Sequence, residues 1–387
     1  MNIAMKNAKQ KKRRTPQQML LAGVMLFFFT AFLLLFVQSP SLLTAAMALL
    51  VPLAVWAMVR ILPRLFPMDE FLLTLIAFLC ALGVLLQYRY TPSRGLTQAF
   101  NCGAGLVAMV VCALAVRHIK SWRLLMVPLM GLSCALMALP FVFRAVNAGK
   151  GATAWVGFGG FTIQPSELVK IVYLFVLSYL LSRRRIVTGM IFIGLMLGFL
   201  DLGTAAIYGG AGLVLLYAAT SSLLLIGGIL GAGVGAVAVL YALFKNSYFL
   251  TVQNRISNWL DPFSTYDQLG GGYQIVQSLI AIANGGWWGT GLGLGNASVI
   301  PEFRTDFIFS ALINEFGLVF AALVACVYVL IVLRSADIAL RSTSAFHALL
   351  AAGSAALLAV QAFIILGGVL KFIPMTGVTV PFLSYGG

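Results

Sequence analysis

The chain has 387 residues, 61% of them hydrophobic and only 9% charged, with a mean hydropathy of +1.02 and a formal net charge of +15. That balance excludes an ordinary soluble domain. Apolar runs of about 20 residues, each long enough to cross a bilayer core, recur along the chain and show no residue-by-residue alternation of a β-barrel.

The first 18 residues form a basic tail with Lys6, Lys9, Lys11, Lys12, Arg13 and Arg14. With no small-residue cleavage site nearby, it reads as a cytoplasmic anchor touching anionic lipid, not as a removed signal peptide. The positive charge therefore speaks for topology and lipid contact, and not for nucleic acid. Eleven spans follow: Met19–Val37, Leu42–Leu62, Phe71–Tyr88, Gln98–Val116, Leu124–Phe143, Leu168–Leu181, Ile186–Leu200, Leu202–Ala219, Ser221–Phe244, Phe307–Leu333 and Ala345–Leu370. The expected fold is an all-α polytopic membrane bundle. Its parts are the tail (1–18), two N-terminal helices (19–66) and a core (67–387) containing a long loop (245–305). Cys80, Cys102, Cys112, Cys134 and Cys326 lack a CxxC pair and read as packing residues.

With the basic tail inside, the loops carrying Arg60 and Arg64, Arg117 to Arg123, Arg183 to Arg185, and Arg334 and Arg341 all fall inside, as the positive-inside rule requires. Of the ten acids, Asp69, Glu70 and Asp337 share that side. Glu167, Asp201, Asp261, Asp267, Glu302, Asp306 and Glu315 fall on or just below the outer face. Orientation does not demand this asymmetry, so it points to an outward-facing polar site. Arg89, Arg94, Arg144, Lys150, Lys170, Lys245, Arg255, Arg304 and Lys371 lie on the same face, where they either pair with the acids or hold an anion such as a phosphate.

Within the long loop, Ile275, Val276, Leu279, Ile280 and Ala283 form one helical stripe opposite Gln274, Gln277, Ser278 and Asn284, the pattern of a helix lying flat in the interface. The run from Gly285 to Gly295, with Trp287 and Trp288, permits tight turns, and its spacing fails a dinucleotide-binding pattern. Next, Glu302 and Asp306 are four apart and would share a face of a helix. Thr305-Asp306 at a helix start also fits a cap, and Asp201 fits a tight turn. Glu315 lies about 13 Å further along a helix and needs a cavity or a base such as Lys371. The Pro/Gly-broken segment from Pro374 to Gly387 reads as a re-entrant loop.

Several strings, in this order, resemble the SEDS family of bacterial membrane proteins, which includes FtsW, RodA and SpoVE. They are Gln164-Pro165-Ser166-Glu167 with Lys170, Asp201-Leu202-Gly203-Thr204-Ala205, Arg255-Ile256 with Leu260-Asp261-Pro262, Gly272-Tyr273-Gln274 and the glycine run, Thr305-Asp306-Phe307-Ile308-Phe309, and Pro374-Met375-Thr376-Gly377 through Ser384-Tyr385-Gly386-Gly387. Thr153 and Ala154 stand where the family carries a basic pair, Asn314 where an acid is common, and the resemblance implies one more helix after Gly387.

The resemblance implies a peptidoglycan glycosyltransferase that polymerises lipid II, an undecaprenyl-linked sugar, on the outer face of the bacterial cytoplasmic membrane beside a class B penicillin-binding transpeptidase. Asp306 is then the general base and Glu302 its second. Glu167, Lys170, Arg255, Arg304, Glu315, Lys371 and Ser384 are candidate substrate contacts. No organic cofactor is implied, while a divalent cation, Mg or Mn, is a candidate ligand of Asp306 and Glu302. The competing readings are a lipid II flippase and a non-catalytic scaffold that activates a transpeptidase.

Overall fold

The computed structural model describes residues 15–119, 122–142, 156–158, 161–198, 201–244, 250–266 and 272–385. Residues 1–14 of the basic tail, Lys120, Arg144, Lys150, Thr153, Ala154, Lys245, Asp267, Gly386 and Gly387 lie outside them.

Fourteen helices are described: α1 (Pro16–Gln38), α2 (Leu42–Arg60), the single turn α3 (Leu62–Leu65), α4 (Glu70–Tyr90), α5 (Pro92–His118), α6 (Trp122–Val142), α7 (Pro165–Ser182), α8 (Ile186–Leu197), α9 (Leu202–Thr220), α10 (Leu223–Phe244), α11 (Leu250–Leu260), α12 (Gly272–Gly285), α13 (Ile308–Arg341) and α14 (Ala345–Val369). Local chemistry starts several of them. Thr15 and Gln18 form a capping box before α1, while Ser41, Asp69 and Asp201 accept main-chain N–H bonds at the starts of α2, α4 and α9. Asp201 thus has the structural place its turn suggested.

Among the described residues, nine helices are long and apolar enough to cross a membrane. Of the expected eleven, α8 is too short to count among them, while α10 runs over 22 residues, Leu223–Phe244. At 1.5 Å per residue, the 12 residues of α8 span only about 18 Å. A small antiparallel hairpin, β1 (Val156–Phe158) and β2 (Phe161–Ile163), was not anticipated.

The most consequential departure is in α13. Instead of one uninterrupted helix, it breaks at Gly317, whose φ of 82° lies in the left-handed region. A half-helix of residues 308–316 therefore precedes the full-length segment.

One buried cluster joins α1, α2, α4, α13 and α14, and a second centres on α7 and α9. In the second, Tyr173 OH donates to the Tyr208 carbonyl (2.9 Å), and Tyr208 OH to that of Ser166 (2.6 Å). At one end of the bundle, Arg60 pairs with Glu70, Arg334 with Asp69 and Asp337, and Arg341 with Asp337. All three acids expected on that side are thus paired with arginine. The other end holds α11, α12, the 285–307 segment and the loop after α14.

Candidate active site

The segment 301–307 is a turn and not the helix that the Glu302–Asp306 spacing suggested. Glu302 adopts φ 55°, and its carbonyl accepts the N–H groups of Thr305 and Asp306, both at 3.1 Å. The two acids are neighbours because the chain folds tightly. The capping alternative for Asp306 fails: the residue flanking α13 is Phe307, and no side chain caps the helix. Asp306 is therefore released from the commonest structural duty of an aspartate at a helix start.

Its surroundings come from distant sequence. Arg255 on α11 donates from Nη1 to the Thr376 carbonyl at 2.9 Å. Gly377, at φ 73°, comes next, and a Cβ there would lie 3.6 Å from Asp306 Oδ2 and 3.9 Å from Arg255 Nη2. A bare glycine thus separates carboxylate from guanidinium. Burial, and then the charge of Glu302, push the Asp306 carboxyl up to about 6, partly opposed by the Thr305 hydroxyl and by Arg255. A carboxyl poised there is a competent base near neutral pH.

Helix α11 was read only as the start of a loop. Two of its side chains reach inward: Arg255 bonds Thr376, and Trp259 Nε1 donates to the Lys371 carbonyl at 2.9 Å, while Asn254, Ile256, Ser257 and Leu260 are exposed. Lys371 itself adopts φ 61° just after α14, with its main chain fixed beside α11. Helix α12 is also rotated from the expected stripe. Val276, Ser278, Ala281 and Gly285 are buried and Ile280 is exposed, because Ser278 and Ser310 share a 2.6 Å hydrogen bond and Gly285 lets the Ile313 backbone approach.

The loop 376–384 connects the other candidates. Gln361 Nε2 donates to the Thr379 carbonyl (2.9 Å), and its Oε1 accepts from Lys170 Nζ (3.1 Å), which also pairs with Glu167 at 2.7 Å. Glu167, Lys170, Gln361 and Thr379 sit on the wall of a mainly apolar groove of about 840 Å³ between α2, α4, α5, α7 and α14. Ser384 is fully buried: its Oγ donates to the Thr305 carbonyl at 2.6 Å and accepts the Val380 N–H at 2.8 Å. In this structure the hydroxyl is used internally.

Arg304 is likewise engaged. Its Nη2 donates to Thr91 Oγ1 at 2.7 Å and its carbonyl accepts from Gln87 Nε2 at 2.9 Å.

Glu315, which needed a cavity or a base, has a base beside it. Its partner is Arg89, at 2.6 Å, and not Lys371; the carboxylate side chain is 0% exposed and also accepts the Gly293 N–H. Arg89 Nη2 adds a bond to the Gly295 carbonyl at 2.7 Å. Around this pair the glycine run lies along the helix break. Thr290 and Gly291 donate to the Asn314 and Glu315 carbonyls, and Leu318 and Val319 to those of Gly286 and Trp287. These bonds satisfy main-chain groups that the break would otherwise strand in an apolar setting. Among the described residues, no three His, Cys, Asp or Glu side chains converge as a metal site. Asp306 and Glu302 remain a two-carboxylate pair, a donor set suited to an ion such as Mg, which takes one or two carboxylates and completes its shell with water and phosphate oxygens.

A bundle of apolar helices, with a carboxylate and a guanidinium brought together at a turn at one end, defines a polytopic membrane protein. The chain belongs to the FtsW/RodA/SpoVE family: residues 70–387 match the family described as cell cycle protein. It is 33% identical over 360 residues to the peptidoglycan glycosyltransferase RodA of Mycobacterium tuberculosis, covering 82% of this chain and 74% of that one. It is 34% identical over 345 residues to the probable peptidoglycan glycosyltransferase FtsW of Geobacter sulfurreducens, covering 82% and 90%. The fold is similar to a chain of a peptidoglycan synthase complex that coordinates polymerization and crosslinking (TM-score 0.65, 26% identity, 83% of this chain and 92% of that one). It is also similar to the rod shape determining protein RodA of Thermus thermophilus (TM-score 0.56, 25% identity, 84% and 92%).

Proposed function

We propose that this protein is a peptidoglycan glycosyltransferase that polymerises lipid II, with Asp306 as general base. The observation that carries this reading is the Asp306 carboxyl, raised to about 6 and set across Gly377 from Arg255. The names of the relatives support the reaction class.

The acceptor GlcNAc 4-hydroxyl gives its proton to the Asp306 carboxylate as its oxygen bonds to C1 of the lipid-linked MurNAc. The bond from C1 to the pyrophosphate oxygen breaks with inversion, and undecaprenyl pyrophosphate departs with the electron pair. Arg255, with Lys371 beside it, offsets charge on that leaving group. The groove between α2, α5 and α14 suits an apolar polyprenyl chain, with Glu167, Lys170 and Gln361 as its polar margin. A divalent cation held by Asp306 and Glu302 would supply further charge neutralisation at the pyrophosphate.

The site end faces outward across the bacterial cytoplasmic membrane in this reading, and the partner is a class B penicillin-binding transpeptidase. The test is polymerisation of labelled lipid II by the purified full chain, with and without that partner. Glycan strands that depend on Asp306 support the proposal. Translocation of lipid II in vesicles without polymer would favour a transporter instead.

A further inference from the structure

We infer that the N-terminal helical hairpin, α1 and α2, is a built-in positioning element of the acidic site, holding the glycine loop 285–295 in register with the break in α13. The hairpin precedes the matched family segment, which begins at residue 70. It nevertheless reaches the glycine loop and the broken helix directly, and the residue next to Arg89.

The first contact is Gln38, the last residue of α1, whose Nε2 donates to the Leu292 carbonyl at 2.7 Å. The next residue, Gly293, has φ 86°, and a Cβ there would collide with the Gln38 amide. The same Gly293 donates its N–H to Glu315 Oε2 at 3.2 Å. One glycine therefore lies between the end of α1 and the buried carboxylate, and no other residue type fits both its conformation and its neighbours.

The second contact is aromatic. Phe27 of α1 stacks on Phe320 with ring centroids 5.5 Å apart and lies 6.3 Å from Phe316. Phe316 and Phe320 flank the Gly317 break, so α1 braces both sides of it. The third contact comes from α2. Thr44 Oγ1 lies 3.0 Å from Tyr88 OH, one residue before Arg89, the partner of Glu315.

The hairpin thus holds the loop and the broken helix directly, and holds α4 through Tyr88, next to Arg89. The half-helix 308–316 starts two residues after Asp306, and short rigid helices transmit displacement at one end to the other. Slack at residues 315–317 would move the Asp306 turn relative to Arg255 and Gly377.

The test is the Q38L/T44V double variant in the full chain, which removes both polar contacts at nearly constant volume. Hydrogen exchange at amides 289–296 should accelerate roughly tenfold, the order expected for losing one or two hydrogen bonds, with α14 amides unchanged. The kinetic arm rests on the proposed polymerisation: kcat should fall several-fold while KM for lipid II holds. Unchanged exchange at 289–296, or faster exchange with wild-type kcat, overturns the inference. A wild-type protein that makes no glycan would instead defeat the reaction assignment, and the exchange arm alone would then decide whether the hairpin orders the loop.

Discussion

Ser384 Oγ donates a 2.6 Å hydrogen bond to the main-chain carbonyl of Thr305, the residue immediately before Asp306. The two are 79 positions apart, and the bond fastens the last loop of the described chain to the turn that carries the candidate base. The same loop meets Arg255 at Thr376 and Gln361 at Thr379. Asp306 is therefore placed by segments that each bring one partner.

Asp306→Asn should lower glycan polymerisation by about 10² to 10⁴, the usual range for loss of a general base. Because no side chain caps α13, the thermal transition should stay within about a degree or two of wild type. Lipid II polymerisation and a melting curve on the same preparation check both halves.

The pH profile should report the same group. The base works as carboxylate, so the rate should rise with pH through about 6, where burial and Glu302 hold the Asp306 carboxyl. Glu302→Gln removes a neighbouring negative charge and leaves Arg255, so the acidic limb should move to lower pH. A limb that stays in place would show that the two acids are not electrostatically joined.

Gly377→Ala should be disproportionately harmful for so small a change. The position has φ 73°, a conformation a side chain strains whatever the space, and the added methyl would stand in van der Waals contact with both Asp306 and Arg255. Arg255→Lys keeps a charge but loses the planar fork, so binding of the lipid substrate should weaken less than in Arg255→Gln. Titration of undecaprenyl pyrophosphate into each variant measures the difference.

Glu315→Leu or Arg89→Met should cost about 3–5 kcal/mol of stability, because each strands one charge of a buried pair. The Arg89→Met/Glu315→Leu double variant should recover part of that loss. Denaturation of the four proteins in one detergent gives the cycle.

Topology can be read with a membrane-impermeant thiol reagent, once the native cysteines are shown to be silent. Ser264→Cys, just after α11 at the site end, should label in intact cells. Ser182→Cys, at the far end of α7, should not; the reverse pattern would invert the orientation.

The amino-acid sequence by itself determined the class of fold, because apolar runs of this length have few alternatives to a helical bundle. It also singled out Asp306 and Glu302, since acids are rare in the chain and each stands out against apolar surroundings. The order of short strings was enough to show the family resemblance. Periodicity was silent on everything that depends on a break or on inward-facing polar residues. A hydropathy window passes over Gly317, since one glycine barely changes the mean, yet the break creates the half-helix behind Asp306. Helix α11 was missed for a related reason: Arg255 and Trp259 face in while Ile256 and Leu260 face out beside Asn254 and Ser257, so neither side is uniformly apolar. Partners were the least legible feature. Nothing local links Glu315 to Arg89, Ser384 to Thr305 or Gln38 to Leu292, because those pairings arise only when distant segments meet at one end of the bundle. There, unpaired polar groups are costly, and tertiary packing decided which ones satisfy one another.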